Sequence, residues 1–259
     1  MAKLQNRVAL VTGAGRGIGR AIAQALASEG AKVAVAARTQ SEIDSVAAEI
    51  KQAGSQAIAF CADLSDRSVP AKLAADVKEQ LGPLDILVNN SGLGSSSNPK
   101  PVVEFDTDFW DQSLAINLTA PYLLSKAVLP DMLARKSGRI ITVASINSRL
   151  GSFHGAAYAA SKHGVLGLMR TLAQEVAGDG ITVNCICPGP VKTLMNDRRI
   201  EYDAGRLGRD VAAHEAKQTP IGGRLDPEDI SPMAVYLASD DARMVTGQAY
   251  NVCGGICMS

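Results

Sequence analysis

Tyr158 and Lys162 stand four positions apart in "AAYAASKHG" (156–164), a stretch otherwise made of small residues. On a helix that spacing puts both on one face, about 6 Å apart along the axis. A phenol with an ammonium stacked one turn above it is a proton-transfer device. Its ordinary pKa is near 10, so exchanging protons near neutrality needs a drop of about 3 units, roughly 4 kcal/mol. An ammonium about 4 Å away supplies on the order of 4 kcal/mol at an effective dielectric near 20. Lys162 alone is therefore about large enough, and Ala157, Ala159, Ala160 and Ser161 leave room for other molecules to come close.

A second chemical stretch is "TGAGRGIG" (12–19), which leaves a strand candidate and opens a helical pattern. Glycine lets the backbone turn tightly and approach a pyrophosphate, whose charge then rests at the positive end of the helix. The spacing Gly13, Gly17, Gly19 is not the GxGxxG of the general dinucleotide fingerprint. About 20 residues on, an NAD site would carry Asp or Glu to hold the ribose 2′-hydroxyl. Here that position reads Ala36, Ala37, Arg38, with no carboxylate before Glu42. Arg38 suits a 2′-phosphate and Arg16 could add a second positive charge, so NADP(H) is preferred, with NAD(H) open.

The elements that must position these residues alternate along the whole chain. Strand candidates are 7–13, 32–38, 56–62, 84–90, 138–145, 181–188 and 248–254, several of them nearly continuous apolar runs, as expected for strands covered on both faces. Between them lie helical patterns such as 18–30, ending in a C-cap glycine, and 41–54, starting with a capping serine. The alternation predicts an α/β fold of Rossmann type: one domain over 1–259, with a doubly wound, parallel, seven-stranded sheet flanked by helices. Only 189–226 reads as irregular. It is too long for an ordinary connection, and is expected to be a substrate lid.

The bulk numbers fit one large core. Of 259 residues, 46% are hydrophobic and 4% aromatic, and Lys+Arg and Asp+Glu are 26 each. Balanced charge gives no electrostatic case for nucleic acid or an anionic membrane surface. No apolar run approaches the roughly 20 residues needed to span a bilayer, and the start has no signal-peptide layout, so a cytoplasmic protein is expected. Cys185 and Cys187 alternate on one side of a strand, while Cys253 and Cys257 form a CxxxC. These spacings miss the usual zinc pattern, so reduced thiols and no metal are expected.

Taken together, "TGAGRGIG", "NNSG" (89–92), Asn117 in "AIN", Ser145 in "VAS", "YAASK" (158–162), "PGPVKT" (188–193) and "NVCGG" resemble the short-chain dehydrogenase/reductase family over essentially the whole chain. Ser91 departs from the family's more usual alanine. The resemblance implies carbonyl–alcohol interconversion by hydride transfer with a nicotinamide dinucleotide, on a small-molecule substrate, in a homotetramer or homodimer.

Carried over by position, it implies a catalytic tetrad of Asn117, Ser145, Tyr158 and Lys162. Tyr158 would move the proton, Ser145 would hydrogen-bond the reacting oxygen, and Asn117 would hold a water that relays protons to Lys162. The cofactor would be held by Gly13, Arg16, Gly17, Ile18 and Gly19, then Arg38, Asp63 and Leu64 at its adenosine end. Asn90 and Gly92 follow, with Tyr158 and Lys162. Pro188, Gly189, Val191 and Thr193 would flank the nicotinamide.

Substrate walls would come from Leu93–Pro99, Ile146–His154 and 189–226, which vary freely on one scaffold. A 3-oxoacyl-thioester or polyketide ketoreductase is the alternative, since "NVCGG" looks like aromatic polyketide ketoreductases. Arg135 and Lys136 could dock a carrier protein, whereas Asp179 falls where such reductases tend to be basic. A non-catalytic dinucleotide-binding protein would usually lack a tetrad residue, and all four are present. Over 194–226, six positives (Arg198, Arg199, Arg206, Arg209, Lys217, Arg224) meet six negatives, which favours a mobile cover over a charged clamp, with flexible points at Gly205 and Gly208 and a short helix that "LMNDRRIEY" (194–202) could form over the nicotinamide.

Overall fold

The computed structural model describes residues 2–258. Seven parallel strands form one sheet: β1 (Val8–Thr12), β2 (Lys32–Ala37), β3 (Ala57–Cys61), β4 (Ile86–Asn89), β5 (Gly138–Val143), β6 (Ile181–Pro188) and β7 (Ala249–Val252). Their order is β3-β2-β1-β4-β5-β6-β7. Val11 pairs with Val35 on one side and with Val88 on the other, so β1 is the strand at which the winding reverses. Ligands of such sheets bind at that switch point, beyond the carboxyl ends of the strands.

Because side chains alternate across a strand, each strand feeds two apolar layers. Val8 and Leu10 pack into one layer with α3 (Val69–Leu81), α5 (Ala120–Arg135) and α6 (Ala156–Val176). Ala9 and Val11 pack into the other with α1 (Gly17–Ser28), α2 (Gln40–Gln52) and α9 (Ser231–Ala238). Burial of Leu10, Ile22, Leu87, Ile140 and Met169 is essentially complete, each side chain contributing about 1.5–3 kcal/mol. Cys185 and Cys187 fall in the same layer, as their alternation requires.

Two local readings change. The helix expected at 41–54 begins at Gln40 after Thr39, and neither residue's side chain caps it; Ser41 lies inside the first turn. In the segment expected to be irregular, the short helix expected at 194–202 extends as α7 (Leu194–Arg206) and a second one, α8 (Val211–Glu215), follows, so that about half of it is helical. Thr193 caps α7 by accepting from the Asn196 amide at 3.3 Å, and Asp210 caps α8 from Ala213 at 2.9 Å. The remaining helix, α4 (Thr107–Leu114), runs into α5 through a π-helical turn at Ala115–Thr119.

Candidate active site

The carboxyl ends of β1 and β4 are riveted by Thr12. Its hydroxyl donates to the Val88 carbonyl (3.3 Å) and accepts from the amides of Asn90 (3.0 Å) and Ser91 (3.1 Å). One donor and two acceptor sites are thereby all used. Asn90 answers by donating from Nδ2 to the carbonyls of Thr12 (2.9 Å) and Gly13 (3.2 Å). Gly13 and Gly17 take φ of +63° and +54°, which glycine adopts freely. At Gly19 a Cβ would collide with the Gly13 carbonyl oxygen, so only glycine lets α1 start this close to the turn.

The rivet opens a cleft of about 890 Å³ above the sheet. Gly13, Arg16, Gly17, Ile18, Gly19, Arg38, Asp63, Leu64, Asn90 and Gly92 line it at one end. Ser145, Tyr158, Lys162, Pro188, Gly189, Val191 and Thr193 line it toward the other. Every residue expected to hold the dinucleotide therefore borders one continuous space, while Asn117 lies behind its wall. The first turn of α1 contains no acidic residue, and its N-cap Arg16 makes no side-chain cap bond. Its free amides and positive dipole end face the cleft, a cradle suited to a pyrophosphate.

The two arginines differ. Arg16 pairs with Glu42 (Nη1–Oε1, 3.1 Å), so the expected second positive charge is offset by a carboxylate. Arg38 is exposed, and the field of its guanidinium reaches Asp63. The Asp63 carboxyl is held below its usual range, chiefly because it accepts from the Ser65 amide (3.0 Å) and also from the Ser65 hydroxyl (2.8 Å).

At the chemical end, Ser145 begins a tight turn and its Oγ accepts from the Asn147 amide at 3.1 Å. Burial raises the Tyr158 phenol pKa above its ordinary value, and the neighbouring Ser145 side chain offsets part of that rise. Lys162 Nζ lies 5.7 Å from the Tyr158 ring centroid and donates to the Val143 carbonyl at 2.9 Å. Burial pulls its pKa down to about 8. Burial opposes the ionised form of both partners, so Lys162 works against a desolvation cost that spacing alone does not show, and a further positive group beside the phenol would add to its effect.

Asn117 sits buried in the π-helical turn. Its Oδ1 accepts from the Leu93 amide (2.7 Å), and its Nδ2 donates to the Leu93 carbonyl (3.0 Å) and to Ser161 Oγ (3.0 Å). Ser161 Oγ in turn donates to the Tyr158 carbonyl at 2.8 Å. The Asn117 amide therefore ties the Leu93 loop to α6.

Over the site, α7 is fastened to two loops. Ser96 Oγ donates to the Met195 carbonyl (2.7 Å), Arg199 donates to the Phe153 carbonyl (2.9 Å), and His154 Nδ1 meets Tyr202 Oη at 2.5 Å. Arg206 lies 4.0 Å above the Phe153 ring. The mixed charges of this segment pair locally: Arg199 with Asp203 (2.6 Å), and Arg224 with Asp197 (2.6 Å) and Glu215 (2.8 Å). Arg135 is likewise taken up by Asp85 at 2.6 Å.

The family model described as short chain dehydrogenase matches residues 7–203. The chain belongs to the short-chain dehydrogenase family. Among its relatives, the 3-oxoacyl-[acyl-carrier-protein] reductase of Vibrio harveyi is 35% identical over 98% of this chain and 99% of its own. Among solved structures, a single-residue variant of the actinorhodin polyketide ketoreductase with NADPH is 37% identical over 99% of both chains, with a TM-score of 0.92. A Beutenbergia cavernae protein provisionally assigned as an NAD(P)-dependent gluconate 5-dehydrogenase, with NADP bound, is 42% identical over 97% of both chains, with a TM-score of 0.88. Like other short-chain dehydrogenases, this chain is an NAD(P)-dependent oxidoreductase acting between C–OH and C=O.

Four contributors were not legible beforehand: the Thr12 rivet, the Glu42 partner of Arg16, Ser161, and the α7 latch. Thr12 stood inside "TGAGRGIG", and Arg199 and Asp203 stood at i, i+4, a helical ion-pair spacing.

Proposed function

We propose that the protein interconverts a small carbonyl compound and its secondary alcohol with NADP(H). The observation that carries this reading is that Tyr158, Ser145 and buried Lys162 border the same cleft as an acid-free α1 terminus and Arg38. NADP(H), when bound, supplies or accepts the hydride. Tyr158 exchanges a proton with the reacting oxygen. Ser145 hydrogen-bonds that oxygen and stabilises the charge developing on it. Lys162, in its ammonium form, favours the phenolate, and Asn117 holds the Leu93 wall in place. Arg38 meets the 2′-phosphate and the α1 amides meet the pyrophosphate.

Helix α7 and its flanks act as a lid that excludes water from the reacting pair. Five thiols and no disulfide among the described residues suit a reducing cytoplasm, and the working form is proposed to be a homotetramer or homodimer. No helix among the described residues is long and apolar enough to cross a membrane. The relatives support a second reading, reduction of a 3-oxoacyl thioester. Against docking of a carrier protein stands Arg135, already held by Asp85. The test is NADPH oxidation with a panel of ketones, diketones, oxo acids and acyl thioesters. Turnover of any of them supports the oxidoreductase, and thioesters alone being turned over would favour the second reading.

A further inference from the structure

Met195, Arg198, Arg199 and Tyr202 fall at i, i+3, i+4 and i+7 of α7, hence on one face. That face looks onto the substrate end of the cleft. A Cβ on Gly94 would meet the Met195 sulfur at 2.6 Å, Arg199 reaches the Phe153 carbonyl at 2.9 Å, and Tyr202 is bound to His154. The face itself carries two charges, and only one of them is balanced. Arg199 is held twice by Asp203 (2.6 and 3.0 Å), and Lys192 pairs with Asp226 at 3.0 Å. Arg198 lines the cleft, is exposed, and has no ion pair or hydrogen bond to any described residue through its side chain.

The rest of this wall is rich in neutral hydrogen-bonding groups. Ser97 and Ser152 border the cleft with hydroxyls that make no bond to described residues. Asn147 and Asn196 border it too, each with one side-chain bond to protein, to the Gly151 carbonyl and from Arg224. A substrate matching this surface carries several hydroxyls and one negative charge. We infer that Arg198 is the specificity-determining anchor for a polyhydroxylated monocarboxylate, such as a sugar acid or its keto form. One guanidinium neutralises one carboxylate, whereas a phosphate dianion would leave charge unmatched, and an aliphatic acyl chain would leave the polar groups without partners. Even charge balance across 194–226 rules out long-range steering but not this single local contact.

The inference rests on the oxidoreductase reading. In the oxidising direction the carbinol C–H bond breaks, its hydride with both electrons passes to NADP, the hydroxyl proton passes to Tyr158, and a C=O bond forms. The full-length enzyme is assayed with NADP and a set of aldonates, the matching uncharged alditols, phosphorylated aldonates and simple secondary alcohols. We expect kcat/KM for the best aldonate to exceed that of its alditol by roughly tenfold or more, the size of one charged hydrogen bond. In Arg198→Ala that ratio should collapse toward one, and Arg198→Lys should restore part of it. Aldonates that are turned over no better than alditols, or an unchanged ratio in Arg198→Ala, overturn the inference while the oxidoreductase reading stands. A tenfold rise in the KM for NADP in Arg198→Ala also overturns it, by assigning Arg198 to the cofactor. No turnover of any alcohol or carbonyl compound overturns both.

Discussion

Replacing Arg38 by Asp tests how this chain tells NADPH from NADH. Arg16 is offset by Glu42 at 3.1 Å, so Arg38 is left as the main positive group for a 2′-phosphate. A charged hydrogen bond is worth about 1.5–3 kcal/mol, or roughly 10- to 150-fold in affinity. Arg38 is exposed, so solvent screening places the effect near the lower end, about tenfold. A carboxylate in its place adds repulsion of about 1 kcal/mol at about 4 Å in water, another fivefold or so. The preference, read as the ratio of kcat/KM for NADPH over NADH with one fixed carbonyl substrate, should therefore fall by roughly 50-fold. Glu42→Gln should move the other way, because it frees Arg16 and raises the ratio several-fold. Equal use of NADH and NADPH by the wild type, or an unchanged ratio in Arg38→Asp, would refute the assignment.

Three more outcomes are expected. Lys162 is pulled from 10.5 to about 8 by burial, so the unfolded chain holds more protons between those values and stability gains with rising pH across that window; the Tm of the cofactor-free wild type should rise relative to Lys162→Met from pH 8 to 10, and a constant difference would contradict the burial. Thr12→Val leaves the Asn90 and Ser91 amides without their acceptor, at about 1–3 kcal/mol each, so urea denaturation should show a loss of at least about 2 kcal/mol. Trypsin should cut the cofactor-free protein first at Arg198, Arg199, Arg206 or Arg209, and saturating NADP should slow those cuts if α7 is a lid; equal rates would remove that role.

Much of this architecture was legible because buried parallel strands such as β1 and β6 are continuous apolar runs, and that signal survives without tertiary knowledge. The strand–turn–helix context of "TGAGRGIG" located the phosphate cradle for the same reason. Caps were less legible: Ser41 had the right residue type, yet the chain entered α2 one residue earlier, which moved it inside the first turn. The start of α7 was legible in "LMNDRRIEY", but its length was not, since a polar surface helix held by Arg199–Asp203 and a Thr193 cap lacks the long apolar stripe that marks where a helix ends. Charge in this segment could be counted from sequence but not placed, and only geometry separates paired Arg199 from unpaired Arg198. The activation of Tyr158 was legible only in part, because spacing gives proximity to Lys162 without the desolvation that weakens both ionised forms.

The central claim, that Tyr158 moves the proton, is tested most directly by steady-state kinetics of Tyr158→Phe beside NADPH binding followed by fluorescence. Removing one hydroxyl deletes the phenolic proton beside Ser145 while leaving the ring that packs against Lys162. The account predicts kcat lower by several orders of magnitude with NADPH affinity nearly unchanged. Turnover within tenfold of wild type would contradict it.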